Sequence, residues 1–241
     1  LTCLAPTHEA GTFPFSISLN DQQYTDFPFW FTFYGVDRIY PPLGPLAGST
    51  EVMITGEGFE SGIPDVSLFP RCRFGDLFVD ADVHNATNMV CISPSYPNED
   101  VLRFDISFSG NQWTQSGQNY SYHLPASISD VQPKYDGQGL GPSTGDSRVL
   151  LEGENFIDVE YLRCRFSDGD TIFDVQGHFI TNTTMYCMSP PVEIEEEQLF
   201  LLEMSFNDQQ YTGWMSGTQL PYLYYPSFVL IAREPNNAPY A

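Results

Sequence analysis

The chain has 241 residues, with 9 basic against 31 acidic side chains, a formal charge of −22 and Lys134 as its sole lysine. Such a surface repels phosphate backbones and argues against nucleic acid as a partner, while 19 Phe and 14 Tyr set it apart from a disordered acidic tail. The length accommodates roughly two domains of about 100 residues each.

In chain order, residues 1–34 read as the second half of a domain. LTCLAP carries Cys3 and Pro6, and Phe15, Ile17 and Leu19 then alternate with Ser16 and Ser18, the period-two pattern of a strand with one buried face. NDQQYT turns the chain, and FWFTFY at 29–34 supplies a closing strand with Pro28 at its start. The first complete domain spans 35–124. Val36 and Ile39 begin a strand that PPLGPLAGST stops, a turn-rich crossing rather than an element. EVMITGEGF follows, with Val52 and Ile54 on one face and Gly56 and Gly58 ending it. After a loop at 60–70, RCRFG places Cys72 and Phe74 on one face, residues 77–84 are short and mixed, and MVCIS at 89–93 is another strand. Phe104, Ile106 and Phe108 repeat the earlier alternation, and YSYHL at 120–124 closes the domain.

The second complete domain, 125–226, follows the same course. Val149 and Leu151 take the places of Val52 and Ile54, and Leu202, Met204 and Phe206 those of Phe104, Ile106 and Phe108. Residues 227–241 read as the opening of another domain. A tag recurs as SLNDQQYT at 18–25, SFSGNQWT at 107–114 and SFNDQQYT at 205–212. The tags begin 89 and 98 residues apart, a domain-sized period rather than that of a solenoid. No stretch of twelve residues carries a helical period, and short strands between Gly/Pro turns indicate an all-β chain of tandem β-sandwiches. They succeed one another with almost no linker.

Two cysteine pairs recur at matching places, so Cys72 is assigned to Cys91 and Cys164 to Cys187; the alternative is free core thiols in a reducing compartment. Cys3 occupies the position of Cys91, and its partner is expected outside the segment. Sequons stand at Asn85, Asn119 and Asn182, two of them nearly in register before the second cysteine, which favours a secreted chain bearing N-linked glycans. The histidines His8, His84, His123 and His178 are not accompanied by a repeated nucleophile, and no hydrolase, zincin or P-loop motif occurs, so no enzyme activity is expected. Asp76, Asp80 and Asp82, with Asp168, Asp170 and Asp174, offer oxygen ligands for Ca2+, although a solvated acidic face is the simpler reading and applies also to Glu193 and Glu195–Glu197. The aromatic of each tag, Tyr24, Trp113 or Tyr211, reads either as a cap on the core or as a contact point.

Gly44, Pro45, Gly48, Ser49, Val52, Ile54, Gly56, Gly58, Phe59, Cys72, Phe74, Gly75, Asn88, Cys91, Ser93 and Pro94 together resemble the IPT/TIG domains, immunoglobulin-like modules of plexins and related surface proteins. The second copy supplies Gly141, Pro142, Gly145, Val149, Leu151, Gly153, Phe156, Cys164, Phe166, Cys187, Ser189 and Pro190. It departs at Asn155, where the family has a second glycine, and at Ser167; asparagine tolerates left-handed φ, so the first turn can survive. The resemblance implies tandem immunoglobulin-like β-sandwiches of IPT/TIG type. The expected role is a structural segment of a long extracellular or cell-surface glycoprotein, a stiff stalk or filament shaft. Its partners would be neighbouring copies of the chain or further repeats of it, and a terminal half-domain would be completed by more of the same array or by strand complementation. The alternative is a receptor or adhesion ectodomain binding a protein ligand, and a third class is an accessory module of a secreted carbohydrate-active enzyme.

Overall fold

The computed structural model describes residues 3–26, 29–59, 69–110 and 112–227. The expectations for Pro28, for most of the 60–70 loop and for the stub after Ser227 lie outside the described residues. The chain divides into two compact units, residues 1–124 and 125–241.

The first unit opens with an antiparallel ribbon of β1 (Gly11–Phe15) and β2 (Phe29–Phe33). It continues with β3 (Gly35–Tyr40), β4 (Leu43–Pro45), β5 (Glu51–Glu57), β6 (Arg71–Phe74), β7 (Leu77–Asn85), β8 (Asn88–Ile92), β9 (Asp100–Ser107) and β10 (Gln118–His123), joined in the order β3-β5-β8-β7-β6-β9-β10-β4. The second unit comprises β11 (Ser127–Gln132), β12 (Lys134–Tyr135), β13 (Gln138–Pro142), β14 (Arg148–Glu154), β15 (Arg163–Ser167), β16 (Ile172–Thr181), β17 (Thr184–Met188), β18 (Gln198–Ser205), the one-turn helix α1 (Thr212–Met215) and β19 (Leu220–Tyr225), in the order β11-β14-β17-β16-β15-β18-β19-β13-β12.

Each long sheet becomes a sandwich because one strand serves both layers. Residues Leu77–Asp80 of β7 pair with β6, whereas Ala81–Asn85 pair with β8. In the second unit Ile172–Gln176 pair with β15 and Gly177–Thr181 with β17. Small residues stand at the crossings: Ala81 N–H donates to Pro70 O at 2.9 Å and Gly177 N–H to Leu162 O at 2.9 Å. A Cβ on Gly177 would lie 2.7 Å from Leu162 Cγ.

Between the layers run the disulfides Cys72–Cys91 and Cys164–Cys187, each with Cα atoms 6.4 Å apart and all four cysteines buried. Around the first pack Val52, Ile54, Phe74, Met89, Phe104, Ile106 and Tyr120; Val149, Leu151, Phe166, Met185, Leu202, Met204 and Tyr222 occupy the same places in the second. The inward and outward alternation of the strands thus assembles one core per sandwich.

Three motif positions acquire a physical reason. A Cβ on Gly44 would lie 2.1 Å from the Tyr120 hydroxyl, and one on Gly141 equally close to that of Tyr222. The Ser-Pro pair locks the strand end: Ser93 N–H donates to Thr50 O at 2.8 Å, Thr50 N–H to Ser93 Oγ at 3.0 Å, and Tyr122 hydroxyl to Pro94 O at 2.8 Å. Ser189, Ser147, Tyr224 and Pro190 repeat the arrangement. Asn155 adopts φ 61°, the left-handed conformation that Gly58 adopts at 76°, and its side-chain amide donates to Pro125 O at 3.0 Å.

Two expectations are corrected. The proline-rich crossing contains β4, which pairs in parallel with β10, because parallel edge pairing leaves room for a terminal Pro45. Residues 77–84, read as short and mixed, lie within the nine-residue β7; a strand that changes partners halfway presents no single buried face to show a period.

Full reduction should lower the melting temperature markedly, corresponding to roughly 2–4 kcal/mol per closed loop; unchanged melting with thiols counted as free would contradict a stabilising role. His123 is buried, and Nδ1–H donates to Leu124 O at 2.8 Å. Burial holds its pKa below the ordinary 6.5, against the opposing pull of that hydrogen bond and of Glu99. Its neutral form is therefore favoured in the fold. The associated stability is complete above pH 6.5 and is lost as pH falls below it, by at most about 1.4 kcal/mol per unit. His123→Phe should flatten the dependence of first-unit unfolding on pH between about 6.5 and 5.5; equal slopes in variant and parent would contradict this.

Candidate functional site

The tag recurs three times, and local bonds of the same kind shape its described residues each time. At its centre a residue takes left-handed φ: Asp21 at 60°, Gly110 at 72° and Asp208 at 61°. In two copies an asparagine side chain closes the turn. Asn20 Oδ1 accepts from the backbone N–H groups of Gln22 and Gln23 at 3.1 and 3.0 Å, and Asn207 Oδ1 from those of Gln209 and Gln210 at 3.1 Å each. In the middle copy Ser109 Oγ stands in the asparagine's place and accepts from Gln112 N–H at 3.3 Å, while Ser107 Oγ accepts from Gly110 N–H at 2.9 Å. The tag threonines then accept from the strand behind: Thr25 from Ile17 N–H at 3.3 Å, Thr114 from Ile106 N–H at 2.9 Å and Thr212 from Met204 N–H at 3.3 Å. These local bonds aim the preceding aromatic at a fixed place on the sheet.

In both complete sandwiches an arginine waits there. Arg73 lies 4.9 Å from the Trp113 ring centroid, and Arg165 lies 3.7 Å from that of Tyr211. Each guanidinium is oriented by a carboxylate, though not the same one. Arg73 donates to Asp105 Oδ2 at 2.7 Å; this carboxylate is wholly buried and also accepts from Arg103 at 2.9 Å. Arg165 makes a two-pronged pair with Asp174, at 2.7 and 2.8 Å. The hydrogen bonds from Arg165 hold the Asp174 carboxyl below its ordinary range, and burial pushes the Tyr211 hydroxyl well up. Glu203, which stands where Asp105 does, turns instead to Gly213 N–H and Gln219. Tyr211 is buried, so it caps the core; Trp113 is half-buried and touches the exposed Phe78, with centroids 5.2 Å apart; Tyr24 is exposed. Arg73 and Arg165 were invisible as partners in the sequence, although both stand between the first cysteine and the phenylalanine of their repeat.

The other sequence candidates scatter. Asn85 closes the β7–β8 hairpin opposite Asn88, and its Oδ1 accepts from Thr87 N–H at 2.9 Å and Thr87 Oγ1 at 3.0 Å. Asn182 lies in the turn between β16 and β17, its carbonyl accepting from Phe156 N–H at 2.9 Å. Asn119 is exposed on β10, opposite Arg103. Cys3 is an exposed free thiol. Asp80 pairs with Arg71 at 3.2 Å, Asp82 lies 3.5 Å from His84, and Asp168 accepts from its own turn, at Asp170 and Thr171 N–H. Among the described residues no three His, Cys, Asp or Glu side chains converge to hold a cation. His8 packs on Phe13 and His178 stacks on Tyr186.

Removing the arginine leaves the tag aromatic without its partner. Arg73→Ala should destabilise the first unit by about 1–3 kcal/mol and shift tryptophan emission to the red, read by denaturant titration and fluorescence. No change in either would show that the stack is incidental.

The family model described as "IPT/TIG domain" matches residues 36–122 and 126–222. No curated protein sequence matches significantly. Among solved structures, the full extracellular region of plexin A4 is similar at 15% identity over 94% of this chain, with a TM-score of 0.53. A second plexin A4 extracellular structure gives 16% identity over 85% of this chain and 20% of its own, with a TM-score of 0.45. The Bacteroides ovatus mixed-linkage glucan utilization protein SGBP-B, in complex with a mixed-linkage heptasaccharide, gives 8% identity over 92% of this chain and 54% of its own, with a TM-score of 0.32. The chain spans 19% of the first plexin chain, and at this identity the likeness concerns the fold. Two copies matched in tandem over more than half of its length place the chain in the IPT/TIG domain family.

Proposed function

We propose that the chain is a stiff structural segment of an extracellular glycoprotein, a stalk or filament shaft made of domains at 35–124 and 125–226, with 1–34 as the second half of a preceding repeat and 227–241 as the start of a following one. The observation that carries this is the junction after β2. Phe33 ends one strand and Gly35 begins the next, with Tyr34 alone between them. The Tyr34 ring packs edge-on against Phe108 at 4.8 Å. Its hydroxyl accepts from Phe108 N–H at 3.4 Å and donates to Gln112 O at 3.3 Å, so the tag of the sandwich receives the residue that links it to the ribbon. A linker of one packed residue leaves few backbone torsions in which a hinge could form.

Disulfides in the core support an oxidising compartment, and the exposed positions of Asn85, Asn119 and Asn182 support N-linked glycans there. Partners on this reading are neighbouring copies of the chain or its further repeats. A receptor or adhesion ectodomain binding a protein ligand is the second reading, favoured by the fold shared with the plexin A4 extracellular region.

Secretion from mammalian cells tests both compartment and stiffness. Glycosidase treatment should remove mass at the three sequons, and small-angle scattering should give one rigid ribbon-to-sandwich geometry that loosens when Gly-Ser pairs are inserted after Tyr34. A secreted chain with no sugar at any sequon, or scattering indifferent to the insertion, would sink the respective half of the proposal.

A further inference from the structure

The ribbon β1–β2 has the same strand register as β9–β10 and β18–β19: Phe15 pairs with Phe29 as Phe104 pairs with Gln118 and Leu202 with Leu220. Equivalent side chains nevertheless differ in exposure. Phe15 is 38% exposed where Phe104 and Leu202 are at 0%; Phe31 is 38% exposed where Tyr120 and Tyr222 are at 0%; Leu19 is 90% exposed where Phe108 and Phe206 are at 7% and 1%. In the complete sandwiches the cover comes from the neighbouring strand. Phe74 of β6 sits 5.0 Å from Phe104 and 4.9 Å from Tyr120, and Phe166 of β15 sits 5.2 Å from Tyr222. Against the ribbon, between its phenylalanines and the segment from Cys3 to His8, lies a groove of about 400 Å³ whose lining includes Phe13, Phe15, Phe31 and Phe33. Among the described residues β1 pairs with β2 alone, so its other edge is open.

We infer that this edge and groove accept a β-strand of Arg-Cys-Arg-Phe chemistry from a further repeat of the same polypeptide. The inference rests on reading residues 1–34 as half of a repeat. The internal templates fix the register: Phe74 stands opposite Phe104, Arg73 opposite Asp105 and Cys72 opposite Ile106. Transferred to the ribbon, the incoming phenylalanine stands opposite Phe15 and fills the groove, the arginine stands opposite Ser16, and the cysteine stands opposite Ile17. That arginine reaches the exposed ring of Tyr24, as Arg73 and Arg165 reach Trp113 and Tyr211. Backbone pairing gives affinity and the alternate side chains give selectivity, the logic of strand addition to an open edge. The cysteine then joins Cys3: two thiols lose two protons and two electrons to a disulfide oxidant such as glutathione disulfide, which is reduced to two thiols.

The probe is a synthetic peptide with the chain's own sequence from Phe69 to Val83, its cysteine carried as a mixed disulfide with thionitrobenzoate. Cys3 thiolate attacks the peptide sulfur, the peptide–Cys3 bond forms and the coloured thiolate leaves. Reaction with the full chain should be at least about tenfold faster than for the same peptide with Phe74→Asp, because only the parent buries a phenylalanine. Equal rates would overturn strand recognition. Non-reducing peptide mapping of native material supplies the second arm: Cys3 joined to an Arg-Cys-x-Phe peptide of the same polypeptide is expected. A free Cys3, or one joined to an unrelated protein, would overturn the assigned occupant. Neither arm depends on glycans or stiffness, so failure here is distinguishable from failure of the shaft reading.

Discussion

Each sandwich depends on one constraint, that two layers of short strands must be held face to face around a core of modest size. The cystine between β6 and β8, repeated between β15 and β17, ties the layers inside the buried core. A domain of about 100 residues buries a smaller fraction of its surface than a large one, and the covalent tie limits how far the layers can separate in the unfolded chain. Phe74 and Phe166 lie two residues beyond their cysteines and touch the tyrosines of the last strand. Those tyrosines in turn occupy the space that Gly44 and Gly141 leave open. Cysteine, phenylalanine, tyrosine and glycine thus form one connected unit, and the family pattern is largely the imprint of that unit on the sequence.

Most of the fold was legible because such units recur within the chain. Strand alternation at Val52 and Ile54, or at Phe104 and Ile106, marks a buried face directly, and Asn155 shows its backbone requirement by replacing glycine. What escaped reading depends on contacts distant in sequence. β4 hides among prolines because its pairing is supplied by β10, about 80 residues away. The Arg73 and Arg165 stacks were not legible because their carboxylates come from different strands, β9 in one repeat and β16 in the other. A pairwise pattern sought at fixed spacing finds neither.

The tags illustrate the difference between local and tertiary information. Their turns are held by bonds that span no more than eight residues, and a left-handed residue stands at the same position in all three. The fate of the aromatic is decided elsewhere, by whether a neighbouring strand brings an arginine and a core beneath it. Related octapeptides therefore present one buried tyrosine, one half-buried tryptophan and one exposed tyrosine.

The two hairpin sequons differ by a single position: Asn85 forms part of the closing pair, whereas Asn182 lies within the turn. That slip decides which group of the asparagine serves the hairpin: Asn85 accepts from Thr87 through its side chain, whereas Asn182 accepts from Phe156 N–H through its backbone carbonyl.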